Sequence, residues 1–308
     1  MGEDRRYRLY QINAFTRSPF SGNPAGVVPA AEGLSDREMQ AIARELGNPE
    51  TAFVLPADGE DHDVRVRFFT PSTEVPSCGH ATIAAHYVRA LEQGLSKGAR
   101  VLQKIGAGIL PVEIEEDEDG HYLVVMTQAR PRFGQTLDGE PLRELLLALG
   151  LRDDELCEFP VQIVDTGHPK LIVPLRDAGR LDALTPNHDA LKRFRDELPY
   201  SGVFVFALAS PGDTVLARAR MFAPEIGIPE DPVTGNGNGP LGAYLVHHGI
   251  VPHDGTRLHF RSRQGEAMGR PGLAHVRVDI ERAEPVRVRV AGNAVVVFRG
   301  ELVLTNST

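Results

Sequence analysis

The chain contains no tryptophan, only two cysteines, and few aromatic residues of any kind (6%). Cys78 and Cys157 cannot staple 308 residues together, so a disulfide framework is excluded and a reducing compartment is expected. Nor do two thiols make a zinc cage, and no metal is expected. Long hydrophobic runs are missing as well. No stretch approaches the ~18 apolar residues of a membrane span, and the charged segment up to Tyr10 lacks the apolar core of a signal peptide. A soluble, cytoplasmic protein is the expectation. Positive charge is in deficit, with 33 Lys and Arg against 42 Asp and Glu. The resulting charge of -9 repels phosphate backbones and anionic membranes, which argues against nucleic acid and membrane partners.

What is present is an ordinary globular composition. Apolar residues make up 42%, close to the ~45–50% of folded domains, and this excludes disorder. A length of 308 residues suggests two domains at about 150 residues each.

The chain also repeats itself. Gly22-Asn23-Pro24-Ala25 returns as Gly167-His168-Pro169-Lys170, and Arg67-Phe68-Phe69-Thr70-Pro71 as Arg220-Met221-Phe222-Ala223-Pro224. Cys78-Gly79-His80 returns as Thr234-Gly235-Asn236, each followed by an apolar run. Three echoes in the same order at nearly constant spacing predict a duplicated α+β domain. Val64–Phe69, Val203–Ala207 and Val215–Ala219 read as strands. Leu34–Gly47 reads as a helix with Ser35 and Glu38 forming a capping box and Gly47 stopping it. Two further helices are predicted from Gly79 to near Gly94 and from Gly235 to near Gly249. The acidic cluster Glu115–Asp119 reads as a solvated hairpin tip.

Residues that break the repeat are candidates for chemistry, because duplicated halves that pack face to face leave a cleft, a favoured place for small ligands. Glu50 enters an apolar strand where the second half has Ser201, and partial desolvation there suits a carboxyl that both takes and gives protons. Asp231 precedes Pro232, whereas no acid precedes Pro76; capping the following turn is its bland alternative. The paired helix starts at Gly79 and Gly235 could share one carboxylate ligand, although glycines that merely permit tight turns would look the same. His80 is as readily a hydrogen-bonding spacer as a catalyst. Cys78 could be a thiolate activated by the helix start, but its counterpart Thr234 excludes a symmetric two-thiol mechanism.

Together, Phe20-Ser21-Gly22-Asn23-Pro24, Glu50-Thr51-Ala52-Phe53-Val54, Phe69-Thr70-Pro71 leading to Cys78-Gly79-His80-Ala81-Thr82, Phe222-Ala223-Pro224 and Glu230-Asp231-Pro232-Val233-Thr234-Gly235 resemble the PhzF-type, phenazine biosynthesis-like proteins of the diaminopimelate epimerase superfamily. The resemblance covers nearly the whole chain. It implies two pseudo-symmetric α+β domains, each a curved mixed sheet wrapped around a central helix, with the active site in the cleft between them, and a homodimer. Residues 1–129 would form the first domain and 130–285 the second, with strands in 286–308 able to pack back onto the first. The resemblance further implies a metal- and cofactor-independent isomerase or epimerase of a small carboxylate-bearing metabolite. Glu50 would be the proton shuttle, with Asp231 and His80 as partners, and Asn23, Cys78, Gly79, Thr234, Gly235 and Asn236 would contact substrate. One departure stands out: the family has a serine where this chain has Asn236. Two alternatives remain open, namely an epimerase or dehydratase that depends on Cys78 and Thr234, and a metabolite-binding or interaction protein without turnover.

Overall fold

The computed structural model describes residues 4–195 and 198–305; positions 1–3 and 306–308, the outer ends of the expected domains, lie outside the described residues. The chain divides into two compact units, Met1–Met126 with Ala291–Thr308, and Thr127–Val290. Among the described residues, no helix is long and apolar enough to cross a membrane.

In the first unit, β1 (Arg5–Ala14) lies antiparallel to β2 (Asn23–Val28), and β2 parallel to β3 (Glu50–Pro56). Strand β3 is antiparallel to β4 (Val64–Phe69), which in turn pairs antiparallel with the short β5 (Glu74–Val75) and parallel with β6 (Arg100–Ile105). Two further antiparallel strands follow, β7 (Gly108–Glu116) and β8 (Tyr122–Thr127). Between β2 and β3 lies α1 (Asp36–Leu46), and between β5 and β6 lies α2 (Gly79–Gln93).

Helix α1 forms for local reasons. Ser35 accepts from the Glu38 N–H while Glu38 accepts from the Ser35 N–H, and Gly47 closes the helix at φ 63°, a left-handed conformation that glycine adopts without a Cβ penalty. Its apolar face, Met39, Ile42 and Ala43, packs on Val28, Phe53 and Phe69. Helix α2 is different, with Ala81, Ile83, Ala84, Ala85, Val88 and Ala90 all buried. Small side chains on nearly every face let it sit inside the curve of the sheet against β1, β2, β3 and β7.

The second unit holds β9 (Arg132–Leu137), α3 (Gly139–Leu149), β10 (Val161–Asp165), β11 (Lys170–Leu175), α4 (Ala178–Asp182), α5 (His188–Arg195) and β12 (Val203–Leu208). It continues through β13 (Ala217–Ala223), β14 (Ile228–Asp231), α6 (Gly235–His247), β15 (Arg257–Gln264), β16 (Gly272–Glu281) and β17 (Glu284–Gly292). Strand β11 is parallel to β12, β12 antiparallel to β13, and β13 antiparallel to β14 but parallel to β15, which pairs antiparallel with β16. This is the order of β2 to β7. Helix α6 takes the place of α2 and packs on β10, β11, β15 and β16. The final strand, β18 (Ala294–Leu304), runs antiparallel along β1, while β9 runs antiparallel along β10.

The repeat extends to side chains. Arg67 grips Glu74 with Nε and Nη2 at 2.8 and 2.6 Å, and Arg220 grips Glu230 with the same atoms at 2.8 and 2.7 Å. Each guanidinium also lies over a phenylalanine two residues on, Phe69 or Phe222, at 5.1 and 5.0 Å from the ring centroid. Fork-to-fork pairing of this kind fixes geometry as well as charge. Glu230 is thereby a structural residue common to both halves, and Asp231 is the residue the second half adds.

Register changes one equivalence. Phe69 pairs with Thr51, and its counterpart Phe222 pairs with Val203, so Glu50 corresponds to Gly202 rather than to Ser201. Other expectations shift slightly. The strand expected at Val215–Ala219 is β13, which starts two residues later and runs on to Ala223. The tip at Glu115–Asp119 is a hairpin turn, but Asp117 is not simply solvated: its Oδ1 accepts from the Asp119 and His121 N–H groups, and its Oδ2 from Asn293 Nδ2 at 2.9 Å.

Candidate active site

In the first unit the fold brings three of the predicted residues together. Glu50 opens β3, and Cys78 and His80 stand at the start of α2. Side-chain exposure is 12% for Glu50 and 7% for His80. Glu50 Oε2 lies 3.3 Å from His80 Nε2, and Cys78 Sγ lies 3.5 Å from His80 Nδ1. The ring also hydrogen-bonds to the Pro24 backbone, which has no N–H, so the imidazole is the donor and the Pro24 carbonyl the acceptor.

Burial drives the His80 pKa down to about 4, with the Pro24 contact opposing it. The imidazole is therefore neutral at pH 7 and carries a single N–H. Nε2 makes no hydrogen bond of its own, so that proton sits on Nδ1, and Nε2 presents a lone pair toward Glu50. The carboxyl thus has a neutral acceptor at its side, which accommodates its protonated form without locking its ionised form into an ion pair. Asn23 opens β2 immediately before Pro24 and is fully buried.

Donor atoms of Glu50, Cys78 and His80 all lie within 4.8 Å of one another, the one such cluster among the described residues. Thiolate, imidazole and carboxylate form a donor set that zinc accepts. A single imidazole can give a metal only one nitrogen, however, and here Nδ1 faces the sulfur while Nε2 faces the carboxylate.

In the second unit, Asp231 ends β14 and accepts a short hydrogen bond from Thr234 Oγ1. Gln264, at the end of β15, braces this turn: Nε2 donates to the Asp231 carbonyl at 2.8 Å and to Thr234 Oγ1 at 3.1 Å, and Oε1 accepts from the Thr234 N–H at 3.0 Å. Gln128 donates to the Gly235 carbonyl at 3.0 Å and to Asn236 Oδ1 at 3.4 Å. Neither Gln264 nor Gln128 was singled out in the sequence, since each lies far along the chain from the motif it supports.

Cys78 and Thr234 are the N-cap residues of α2 and α6, and neither side chain caps its helix. Gly79 and Gly235 both lie outside the positive-φ set, so turn geometry alone does not require glycine there. The other glycines of α6 serve packing. A Cβ on Gly237 would stand 2.3 Å from the Phe204 ring, and one on Gly242 would stand 2.7 Å from Val276.

These features define the class. Each unit is built around a buried central helix, with an acid-bearing polar cluster at that helix's start, on the α+β fold expected for the diaminopimelate epimerase superfamily. Residues 12–300 match the family described as Phenazine biosynthesis-like protein, and the chain belongs to that family. A Clostridium acetobutylicum protein described as an uncharacterized isomerase is 51% identical over 97% of this chain and 99% of its own length. The trans-2,3-dihydro-3-hydroxyanthranilate isomerase of Pseudomonas chlororaphis is 34% identical over 95% of this chain and 98% of its own. The crystal structure of a PhzF-family phenazine biosynthesis protein from Bacillus anthracis, 31% identical, matches 97% of this chain and 100% of that one with a TM-score of 0.87.

Proposed function

We propose that the protein is a cofactor-independent isomerase that moves a proton between two carbon atoms of a small carboxylate-bearing metabolite, with Glu50 as the carrier. The observation that carries this reading is the pairing of Glu50 with an imidazole that burial keeps neutral, 3.3 Å away. Ionised Glu50 takes a proton from an acidic carbon next to an electron-withdrawing group. Protonated Glu50, stabilised by the His80 lone pair, returns it to another carbon of the same molecule. No electron leaves the substrate and no water is consumed. General acid–base catalysis of this kind supplies about 10²–10⁴-fold in rate.

In this proposal Asp231, held by Thr234, is a second acid–base or polar partner of the same substrate. The N–H groups opening α2 and α6, at Gly79 and Gly235, favour the substrate's carboxylate. Asn23, Cys78 and Asn236 shape the pocket around it. The family and its isomerase-named relatives support the reaction class.

The test is solvent exchange. Purified enzyme is incubated in D₂O with a panel of unsaturated and α-substituted carboxylates, beginning with trans-2,3-dihydro-3-hydroxyanthranilate, and deuterium uptake at carbon is followed by mass spectrometry and NMR. A turned-over compound should gain deuterium with wild-type enzyme and gain it at least 100-fold more slowly with Glu50→Gln. Tight binding of a carboxylate without any carbon exchange would favour the non-catalytic alternative.

A further inference from the structure

We propose that Gln128, a residue in no motif of the site, is a positioning residue that sets the direction of the Asn236 side-chain amide. Asn236 Nδ2 is then the side-chain donor that the start of α6 offers to a ligand, and the group it selects is a hydrogen-bond acceptor such as a carboxylate oxygen. That the ligand is the reacting metabolite rests on the function proposed above; the direction of the amide does not.

Gln128 lies among partners whose chemistry allows one arrangement. The Gly235 carbonyl is 3.0 Å away and can only accept, so the amide nitrogen of Gln128 must stand on that side. Its Oε1 then accepts from Thr166 Oγ1 at 2.7 Å, a contact made by a buried threonine. The same Nε2 stands 3.4 Å from the Asn236 side chain, where its second hydrogen is matched by Oδ1 and would oppose another amide nitrogen. Asn236 Nδ2 is thereby the branch that Gln128 does not engage, on a residue that is only half-buried. Thr234, the other candidate side-chain donor at this helix start, has its single hydroxyl proton committed: Oγ1 donates to Asp231 and accepts from Gln264 Nε2 at 3.1 Å.

Space for this amide is built into the helix. A Cβ on Gly239 would stand 1.8 Å from Gln128 Oε1, so Gln128 can lie against α6 only where the helix has glycine. Gly239 lies outside the positive-φ set, so its backbone conformation does not require glycine; the close approach does. Glycine weakens a helix interior, a cost that the polar contact offsets. The first unit solves the same packing the other way round. Counted from Cys78 and Thr234, Gly239 corresponds to Ile83. There the helix carries the large side chain and the facing strand the glycine: a Cβ on Gly292 would stand 3.1 Å from Ile83 Cδ1. An apolar contact in one unit is exchanged for a polar one in the other, and the polar one sits where the helix start carries Asn236.

Two measurements test this. Neutron diffraction from crystals of the ligand-free protein grown in D₂O reads the direction of the amide. Deuterons should lie on Gln128 Nε2 and none on the Asn236 atom that faces it; deuterons on that Asn236 atom would overturn the proposal. Steady-state kinetics with trans-2,3-dihydro-3-hydroxyanthranilate read the consequence for the ligand. Gln128→Met keeps the size and removes the donor, and should raise KM about 10-fold while kcat stays within about threefold. Asn236→Asp keeps the shape without a donor and should raise KM further. In an Asn236→Ser background, where a hydroxyl finds its acceptor by its own rotation, the same Gln128→Met change should alter KM by less than about twofold. Equal losses in the two backgrounds would make Gln128 a structural support only and overturn the proposal. Should Gln128→Met fail to fold, the deuteron positions decide. Failure of the wild-type protein to bind or convert the compound would count against the function proposed above, and the deuteron positions would still decide the direction of the amide.

Discussion

Glu50 Oε2 and His80 Nε2 lie 3.3 Å apart, yet the two do not form an ion pair at neutral pH, because burial holds the imidazole pKa near 4. A charged histidine would pin the carboxylate in its ionised state. A neutral one leaves both protonation states of Glu50 within reach, which is what a carrier requires.

His80→Gln should therefore retain measurable exchange. The amide keeps a polar contact to Glu50 but cannot reproduce both the Pro24 hydrogen bond and the Nε2 lone pair. A loss of about 10–100-fold in kcat, well short of the loss in Glu50→Gln, is the expected outcome of steady-state assays. Equal losses would make His80 a proton carrier itself.

Cys78→Ser should keep activity within about 10-fold of wild type, since a hydroxyl can keep the contact that the sulfur makes to His80 Nδ1 and leaves Nε2 facing Glu50. Complete loss, together with alkylation that a bound substrate prevents, would instead favour the thiol-dependent alternative. Activity should likewise survive dialysis against a chelator. A chelator-sensitive enzyme restored by zinc would reassign Glu50, Cys78 and His80 as metal ligands.

Stability should fall as pH drops from about 6.5 toward 4. His80, His86 and His168 all titrate near 4 in the folded protein, chiefly because they are buried, against 6.5 when exposed. Depressed histidines favour folding above the unfolded pKa, and that contribution is lost as acid charges them in the unfolded chain. Each accounts for roughly 3 kcal/mol across the window. His86 is the clearest structural case, with Nε2 donating to Gln103 at 2.9 Å and Nδ1 accepting from Arg89 at 3.2 Å. Denaturant midpoints measured from pH 7 to 4 should show net proton uptake on unfolding, and a flat profile would contradict these assignments.

Gly237→Ala should destabilise the protein by about 1–3 kcal/mol, because the added methyl meets the fully buried Phe204 ring and neither the helix nor the ring can yield freely. Thermal melting reads this directly.

Much of this arrangement was legible in the sequence where the determinants are local. The capping box of α1 follows from Ser35 and Glu38 lying three residues apart, and the echo of Arg67-Phe68-Phe69 in Arg220-Met221-Phe222 marked the duplicated fold, although the shared ion pairs with Glu74 and Glu230 emerge only in the structure. The helix opening at Gly235 was legible from its glycine and the proline-rich turn before it, whereas Asp231 as the end of a strand was not. Tertiary features were not legible. Lys170 is buried because the folded sheet brings it to Ser201, far along the chain. Gln128 and Gln264 reach their partners only once the sheet forms. The displacement of the Glu50 equivalent from Ser201 to Gly202 is a matter of strand register, which short motifs cannot count.

The central claim is that Glu50 carries the proton, and single-turnover exchange tests it most directly. Substrate labelled with deuterium at the reacting carbon is mixed in H₂O with a slight excess of enzyme, and the label is traced into product. The account predicts partial retention of deuterium in product with wild-type enzyme and no measurable product with Glu50→Gln. Product formed by Glu50→Gln at the wild-type rate would contradict it.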